Sequence, residues 1–329
     1  MKSSSPAVTP QLSPYGVFSG TLFQYSSSPS LIAFESLPPS AAHINNENII
    51  KNKKKCILIG GLSDGPIPTP YTKLLEEECH SLGWSLVQPI LSSSYLGFGH
   101  GSLSRDTCEI GKLLDYLVVH HDAEYFALVG HSTGCQNSIH FLKHGDNDVD
   151  NNYIADERSS SRTKRVKVVA LQAPVSDRET DQDNSKYIQH AQQLVSQNQG
   201  DEMMPRSTFW APITASRYIS LFDKDGDDDF FSSDLTDEQL RERLGHVSRE
   251  GGSSSELDVL AVYSGKDEYV PSFVDKNKLL KRMVDAMNDG GRCTNAKGLM
   301  LPNANHNLSK SEGDARTFVD AVSELLRKW

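Results

Sequence analysis

The sharpest chemical signal in the sequence is Tyr125-Phe126-Ala127-Leu128-Val129-Gly130-His131-Ser132-Thr133-Gly134. An apolar run enters Gly-x-Ser-x-Gly and leaves it on a helical pattern, which is the context that marks a nucleophile elbow. The central residue of such an elbow sits in a strained turn, so its flanks must be small, and Gly130 and Gly134 supply that room. Ser132 then stands at a helix amino end, where the dipole and free backbone N–H groups favour a developing negative charge. The chemistry this predicts is nucleophilic attack on an acyl carbon.

A serine hydroxyl alone is a weak nucleophile; it needs a base, and the base needs an orienting acid. The order serine, acid, histidine that accompanies this elbow directs the search downstream. The run Val259-Leu260-Ala261-Val262-Tyr263 leads into Ser264-Gly265-Lys266-Asp267-Glu268, so Asp267 and Glu268 both lie in a turn at a strand's carboxyl end. Either carboxylate could orient a base. A further strand at 298–301 leads into Pro302-Asn303-Ala304-Asn305-His306, a loop before the last helix. Of the eleven histidines only His306 follows a strand that follows the acid-bearing one, and it is the general base. His131 lies inside the elbow and shapes it, His100 sits in a Gly-rich loop that could line a pocket mouth, and His80, His140 and His144 fall on or beside helices.

The tetrahedral oxyanion of acyl transfer needs preorganised donors, each worth roughly 3 to 4 kcal/mol. One is the N–H of Thr133, and the other comes from Gly60-Gly61-Leu62-Ser63-Asp64-Gly65, with Leu62 as the expected donor. That loop lacks both the Gly-Lys-Ser/Thr of a phosphate loop and the dinucleotide fingerprint, so no nucleotide cofactor is expected. The Asp-rich run at 223–229 puts Asp228 and Asp234 where a calcium loop needs Gly and Glu. A solvated acidic loop and no metal are expected there. Asn307-Leu308-Ser309 matches a glycosylation sequon but adjoins the base, and a chain kept in a reducing compartment would not meet the transferase.

The elements that must position these groups alternate along the chain. A short antiparallel pair at 20–25 and 31–34 opens the fold. Strands follow at 56–59, 84–87, 125–129, 166–171, 257–263 and 298–301, interleaved with helices at 71–82, 103–119, 133–143, 274–287 and 314–327. Cys56-Ile57-Leu58-Ile59 is apolar throughout, as in a strand buried on both faces. This rhythm predicts an α/β fold, a doubly wound and mostly parallel sheet with right-handed crossovers. Two stretches break it. The polar 145–164 reads as a disordered insertion. The 176–252 stretch, with helices at 187–197 and 237–244 and the apolar piece Phe209-Trp210-Ala211-Pro212-Ile213, reads as a helical cap over the carboxyl edge of the sheet.

The 329 residues thus divide into a flexible Ser/Pro-rich 1–14 and one domain over 15–329 that carries both inserts. The net charge of −10, from 33 Lys plus Arg against 43 Asp plus Glu, repels phosphate backbones and anionic lipid heads, which argues against nucleic-acid and membrane partners. No run approaches the roughly 20 apolar residues of a bilayer-spanning helix. Five scattered cysteines without a Cys-x-x-Cys pair point to a reducing, cytoplasmic setting. Acid-poor, Ser-rich sequence before Glu35 resembles an organellar transit peptide in part, but the first arginine is Arg105.

With these residues placed, the sequence resembles the α/β-hydrolase superfamily, and more narrowly a fungal and plant family of formerly unknown function that includes siderophore esterases. The narrower likeness rests on Ile59-Gly60-Gly61-Leu62-Ser63-Asp64-Gly65, Ser92-Ser93-Ser94-Tyr95-Leu96-Gly97-Phe98-Gly99, the Gly130 to Gln136 elbow, Gln172-Ala173-Pro174-Val175-Ser176-Asp177-Arg178-Glu179 and Phe230-Phe231-Ser232-Ser233-Asp234-Leu235. The resemblance implies a triad of Ser132, Asp267 and His306, with Asp267 chosen over Glu268, and a small-molecule ester substrate of siderophore type. A receptor-like protein that binds a ligand in the same capped pocket without turnover is the rival reading, since a scaffold does not dictate function.

Overall fold

The computed structural model describes residues 15–38, 52–147, 162–248, 256–289 and 294–329. The 1–14 segment, the middle of the expected insertion (148–161) and the end of the expected cap stretch (249–252) lie outside the described residues.

The strands β1 (Gly20–Ser27), β2 (Ser30–Ser36), β3 (Lys54–Ile59), β4 (Ser85–Ile90), β5 (Tyr125–His131), β6 (Val166–Gln172), β7 (Leu257–Ser264) and β8 (Thr294–Leu301) form one eight-stranded sheet in the order β1-β2-β4-β3-β5-β6-β7-β8. The first two pairings, β1 with β2 and β2 with β4, are antiparallel, and all others are parallel. The helices α1 (Thr72–Ser81), α2 (Leu103–His121), α3 (Thr133–His144), α8 (Lys276–Asn288) and α9 (Glu312–Leu326) alternate with the strands, as the sequence rhythm requires. A helical turn, α4 (Arg162–Arg165), precedes β6, and α5 (Ser185–Ser196), α6 (Ala215–Phe222) and α7 (Asp237–Leu244) fall between β6 and β7.

Burial on both faces explains the unbroken apolar runs at the centres of the middle strands. Ile57, Ile59, Leu128, Val169 and Leu171 pack into one cluster with α2, α3, α7 and α8, while Cys56, Leu58, Val129, Val168 and Ala170 pack into another with α1 and α9. The sheet is therefore wound on both faces.

Three details depart from the sequence reading. The ends of the 145–164 insertion are anchored: Arg162 forms an ion pair with Asp115 and donates to the Gly145 carbonyl, and the Thr163 N–H donates to Asp146. Within 176–252 the helices divide. Leu240 and Leu244 of α7 enter the core cluster beside α8, whereas α5 and α6 build their own small core from Ala191, Met204, Ile213, Tyr218 and Leu221. Finally, the acidic run at 223–229 is solvated only in its first part, at Lys224, Asp225 and Asp227. Asp228 and Asp229 are buried, Asp228 accepting from Arg217 (2.6 Å) and Asp229 from Arg178 (3.1 Å). Among the described residues no helix is long and apolar enough to cross a membrane, and no group of three or more His, Cys, Asp or Glu forms a metal site.

Candidate active site

The elbow joins β5 directly to α3. Ser132 has φ 53° and ψ −124°, a strained conformation that persists only because its surroundings hold it. Its N–H donates to the Gln172 carbonyl at 3.0 Å, and its carbonyl accepts from the Cys135 N–H at 2.8 Å. A methyl group on Gly130 would lie 2.4 Å from the Gly134 carbonyl oxygen, and one on Gly134 would lie 2.3 Å from that of Ile59. Only glycine lets strand, turn and helix pack this closely.

The loop after β3 folds against the serine: a methyl group on Gly61 would sit 3.3 Å from Ser132 Oγ. Asp64 holds this loop, accepting from the Gly61 N–H (2.8 Å) while its own N–H donates to the Gly61 carbonyl (3.1 Å). Burial raises the Asp64 pKa, opposed by that Gly61 bond. Leu62 follows, half-buried, and packs against the α5–α6 core. Thr133 is the first residue of α3, where backbone N–H groups have no intrahelical acceptor.

The loops after β7 and β8 are tied together by Gly265 N–H to the Leu301 carbonyl (2.8 Å) and Lys266 N–H to the Ala304 carbonyl (2.9 Å). This brings both acidic neighbours to His306 in different ways. The Asp267 Oδ2 meets His306 Nδ1 at 2.8 Å, in a pair whose side chains are almost fully buried, and Asp267 Oδ1 accepts from the Tyr269 N–H at 3.0 Å. The Glu268 carboxylate instead accepts from the His306 backbone N–H at 2.9 Å. Burial, which raises the Glu268 pKa, is outweighed by that bond and others, so the net shift is downward. The Tyr269 ring packs edge-on against the imidazole, with centroids 4.6 Å apart.

Gln172, at the end of β6, is a residue that sequence reasoning missed. Its Nε2 donates to the His306 carbonyl (2.8 Å), which fixes its Oε1 as the acceptor from Tyr71 Oη (3.3 Å) and His131 Nδ1–H (2.6 Å). One buried amide thus links elbow, helix α1 and base loop. Burial first, and then the charge of His306, lower the His131 pKa to about 3, against the Gln172 bond. His131 is therefore neutral at working pH and leaves the proton chemistry to other groups. His100, placed by sequence near a pocket mouth, accepts through its carbonyl from Arg105 and is not among the residues that line the cavity beside Ser132.

Ser132, His306 and Leu62 face one cavity of about 810 Å³, whose far wall carries Phe209, Trp210, Tyr218 and Phe222 from the α5–α6 unit. Among the described residues no hydrogen bond joins the Ser132 hydroxyl to His306; the bond that is formed is the one between His306 and Asp267.

The family model described as "Protein of unknown function (DUF1749)" matches residues 7–327. The chain belongs to the DUF1749 family. This DUF1749 chain is 30% identical over 324 residues to "Esterase AN6793" of Emericella nidulans, covering 83% of this chain and 84% of the relative. It is 29% identical over 304 residues to "Fusarinine C esterase sidJ" of Aspergillus fumigatus, covering 80% and 85%. Among solved structures, "Siderophore hydrolase EstB from Aspergillus fumigatus" superposes on it with a TM-score of 0.71 at 25% identity, covering 95% of this chain and 98% of that one. The DUF1749 fold seen here is the α/β-hydrolase fold, and this chain is an ester hydrolase on that scaffold.

Proposed function

We propose that this chain is a serine esterase for a small-molecule ester, working through Ser132, His306 and Asp267. Ser132 Oγ attacks the ester carbonyl carbon while His306 Nε2 takes its proton, and Asp267 holds the other ring nitrogen and stabilises the imidazolium. The N–H groups of Leu62 and Thr133 receive the oxyanion. His306 then protonates the departing alkoxide, and water repeats the sequence on the acyl-enzyme. The α5–α6 unit serves as the cap that covers the acyl or alcohol part of the substrate. Esters of siderophore type are the substrate class that the named relatives support.

The observation that carries this reading is the 2.8 Å contact between Asp267 and His306 beside a strained Ser132 on one cavity wall. The serine–histidine contact tightens on substrate binding, as is common in ligand-free serine hydrolases. The test is fluorophosphonate labelling together with turnover of a panel of short p-nitrophenyl and hydroxamate-containing esters, on wild type and Ser132→Ala. Labelling confined to wild type and a loss of turnover of about 10³-fold or more in the variant are expected. Equal turnover by the two proteins removes Ser132 from the mechanism.

A further inference from the structure

The same cavity has a charge pattern that the hydrolytic mechanism does not use. Five of its lining residues are acidic, Asp64, Asp177, Glu179, Asp181 and Glu268, and none is Lys or Arg. Four of these carboxylates are fixed by neutral donors: Asp64 by the Gly61 N–H, Asp177 by Gln136 Nε2, Glu179 by the N–H and hydroxyl of Ser233, and Glu268 by the His306 N–H. The nearby cations are consumed elsewhere. Arg178 pairs with the buried Asp229 and with Asp234, and Arg217 pairs with the buried Asp228. Two sequence motifs that the triad leaves unexplained, Gln172 to Glu179 and Phe230 to Leu235, meet here. Their contacts, Ser176 with Ser232 and Glu179 with Ser233, fix the segment that presents Asp177 and Glu179 to the cavity.

Burial first, and then the neighbouring charge of Asp228, raise the Asp177 pKa to about 7, against the charges of Arg217 and His306. Two aromatic rings among the lining residues are left largely open, Trp210 (59% exposed) and Tyr269 (66% exposed). Exposed aromatic faces beside fixed carboxylates are the combination that binds organic ammonium groups. The carboxylates do not converge as metal ligands, since no metal-binding group of His, Cys, Asp or Glu exists among the described residues.

We infer that this cavity selects esters carrying a positively charged amine, with Asp181 and Glu179 balancing the ammonium and Trp210 and Tyr269 packing against it. The inference rests on the esterase reading for turnover but not for binding. The probes are butyrylcholine and its neutral isostere 3,3-dimethylbutyl butyrate, which differ in one atom and a charge. Wild type is expected to favour the charged ester by about tenfold or more in kcat/KM, chiefly through KM. That preference should shrink as NaCl rises from about 50 to about 500 mM. Asp181→Asn and Glu179→Gln should each cut the charged-to-neutral ratio by about threefold, and Trp210→Ala should lower it again.

Calorimetry on Ser132→Ala reads the same preference without turnover. Equal affinity for the two esters, or none for the charged one, overturns the inference even if both are hydrolysed by wild type. Absence of turnover on every ester, with the charged probe still bound about tenfold tighter, overturns the esterase reading and leaves the cation site standing.

Discussion

Two adjacent carboxylates reach the candidate base, and exchanging each for its amide separates their roles. Asn at position 267 keeps the volume, and its Oδ1 can still accept from the Tyr269 N–H. Its amide nitrogen, however, faces His306 Nδ1, so the ring must present Nδ1 as an acceptor and carry its proton on Nε2. That tautomer cannot take a proton from Ser132. The substitution also removes the negative charge 2.8 Å from the nascent imidazolium. At an effective dielectric of about 20 a unit pair at that distance interacts by about 6 kcal/mol. Reorganisation and solvent around the ring return part of this, leaving a fall of about 10³- to 10⁴-fold in kcat at about 1.4 kcal/mol per decade. Glu268→Gln retains an oxygen for the His306 N–H and removes only a more distant charge, so a loss of less than about tenfold is expected. The assay is steady-state kcat and kcat/KM on p-nitrophenyl butyrate near neutral pH, with fluorophosphonate labelling rates and thermal melts to confirm folding. A Glu268→Gln loss as deep as that of Asp267→Asn, or an Asp267→Asn enzyme within about tenfold of wild type, would refute the assignment.

Two further predictions concern the supports. Glu35 is buried on the β2 face, where it accepts from Lys55, Ser85 Oγ (2.6 Å) and His121 Nδ1 (2.7 Å). Burial raises its pKa, but bonds from His121, Lys55 and Ser85 prevail and hold it down at about 2 against an ordinary 4.5. A depressed pKa means stability that is present above about pH 4.5 and lost as pH falls through about 2, and the shift corresponds to about 3 kcal/mol. Glu35→Gln leaves Lys55 buried without its counter-charge, so urea unfolding at pH 7 should show a loss of about 3 kcal/mol or more, narrowing toward pH 2; a gap that does not change with pH would contradict this. Gln172→Leu strips the shared support from His131 and His306, and kcat should fall about 10- to 100-fold with a stability loss of about 1 to 3 kcal/mol. Unchanged kcat in a destabilised Gln172→Leu protein would reduce this amide to a packing role.

The sheet was legible because a strand covered on both faces must be apolar along its centre, and Cys56 to Ile59 and Val168 to Leu171 are. The elbow was legible because its geometry excludes every side chain at Gly130 and Gly134. Helix α6 was not. Its eight residues follow Pro212 closely, and its signals are the Thr214 cap, whose hydroxyl accepts from the Arg217 N–H, and the spacing of Tyr218, Leu221 and Phe222. The residues alone left Asp267 and Glu268 open, and only the resemblance favoured Asp267. They are chemically alike and adjacent, and only the fold turns one to the imidazole ring and the other to its backbone. The run at 223–229 misled for a related reason, since the arginines that pull Asp228 and Asp229 inward come from elsewhere on the chain, Arg217 on α6 and Arg178 after β6. Gln172 was legible only as part of a family motif and not in its role, because glutamine at a strand end is ordinary until its neighbours are known.

Helix α9 closes over side chains that the ribosome delivers far earlier. Phe318 packs edge-on against Tyr71 with centroids 4.8 Å apart, and the fully enclosed indole of Trp84 donates to the Leu326 carbonyl at 3.3 Å. During translation Ser132 and its elbow therefore emerge while one face of their supporting layer is still bare. That face stays sticky until the final turns arrive. Clipping those turns would uncover the indole and loosen the histidine loop in the same stroke, so a shortened polypeptide should be cleared by proteases rather than persist as a slow enzyme.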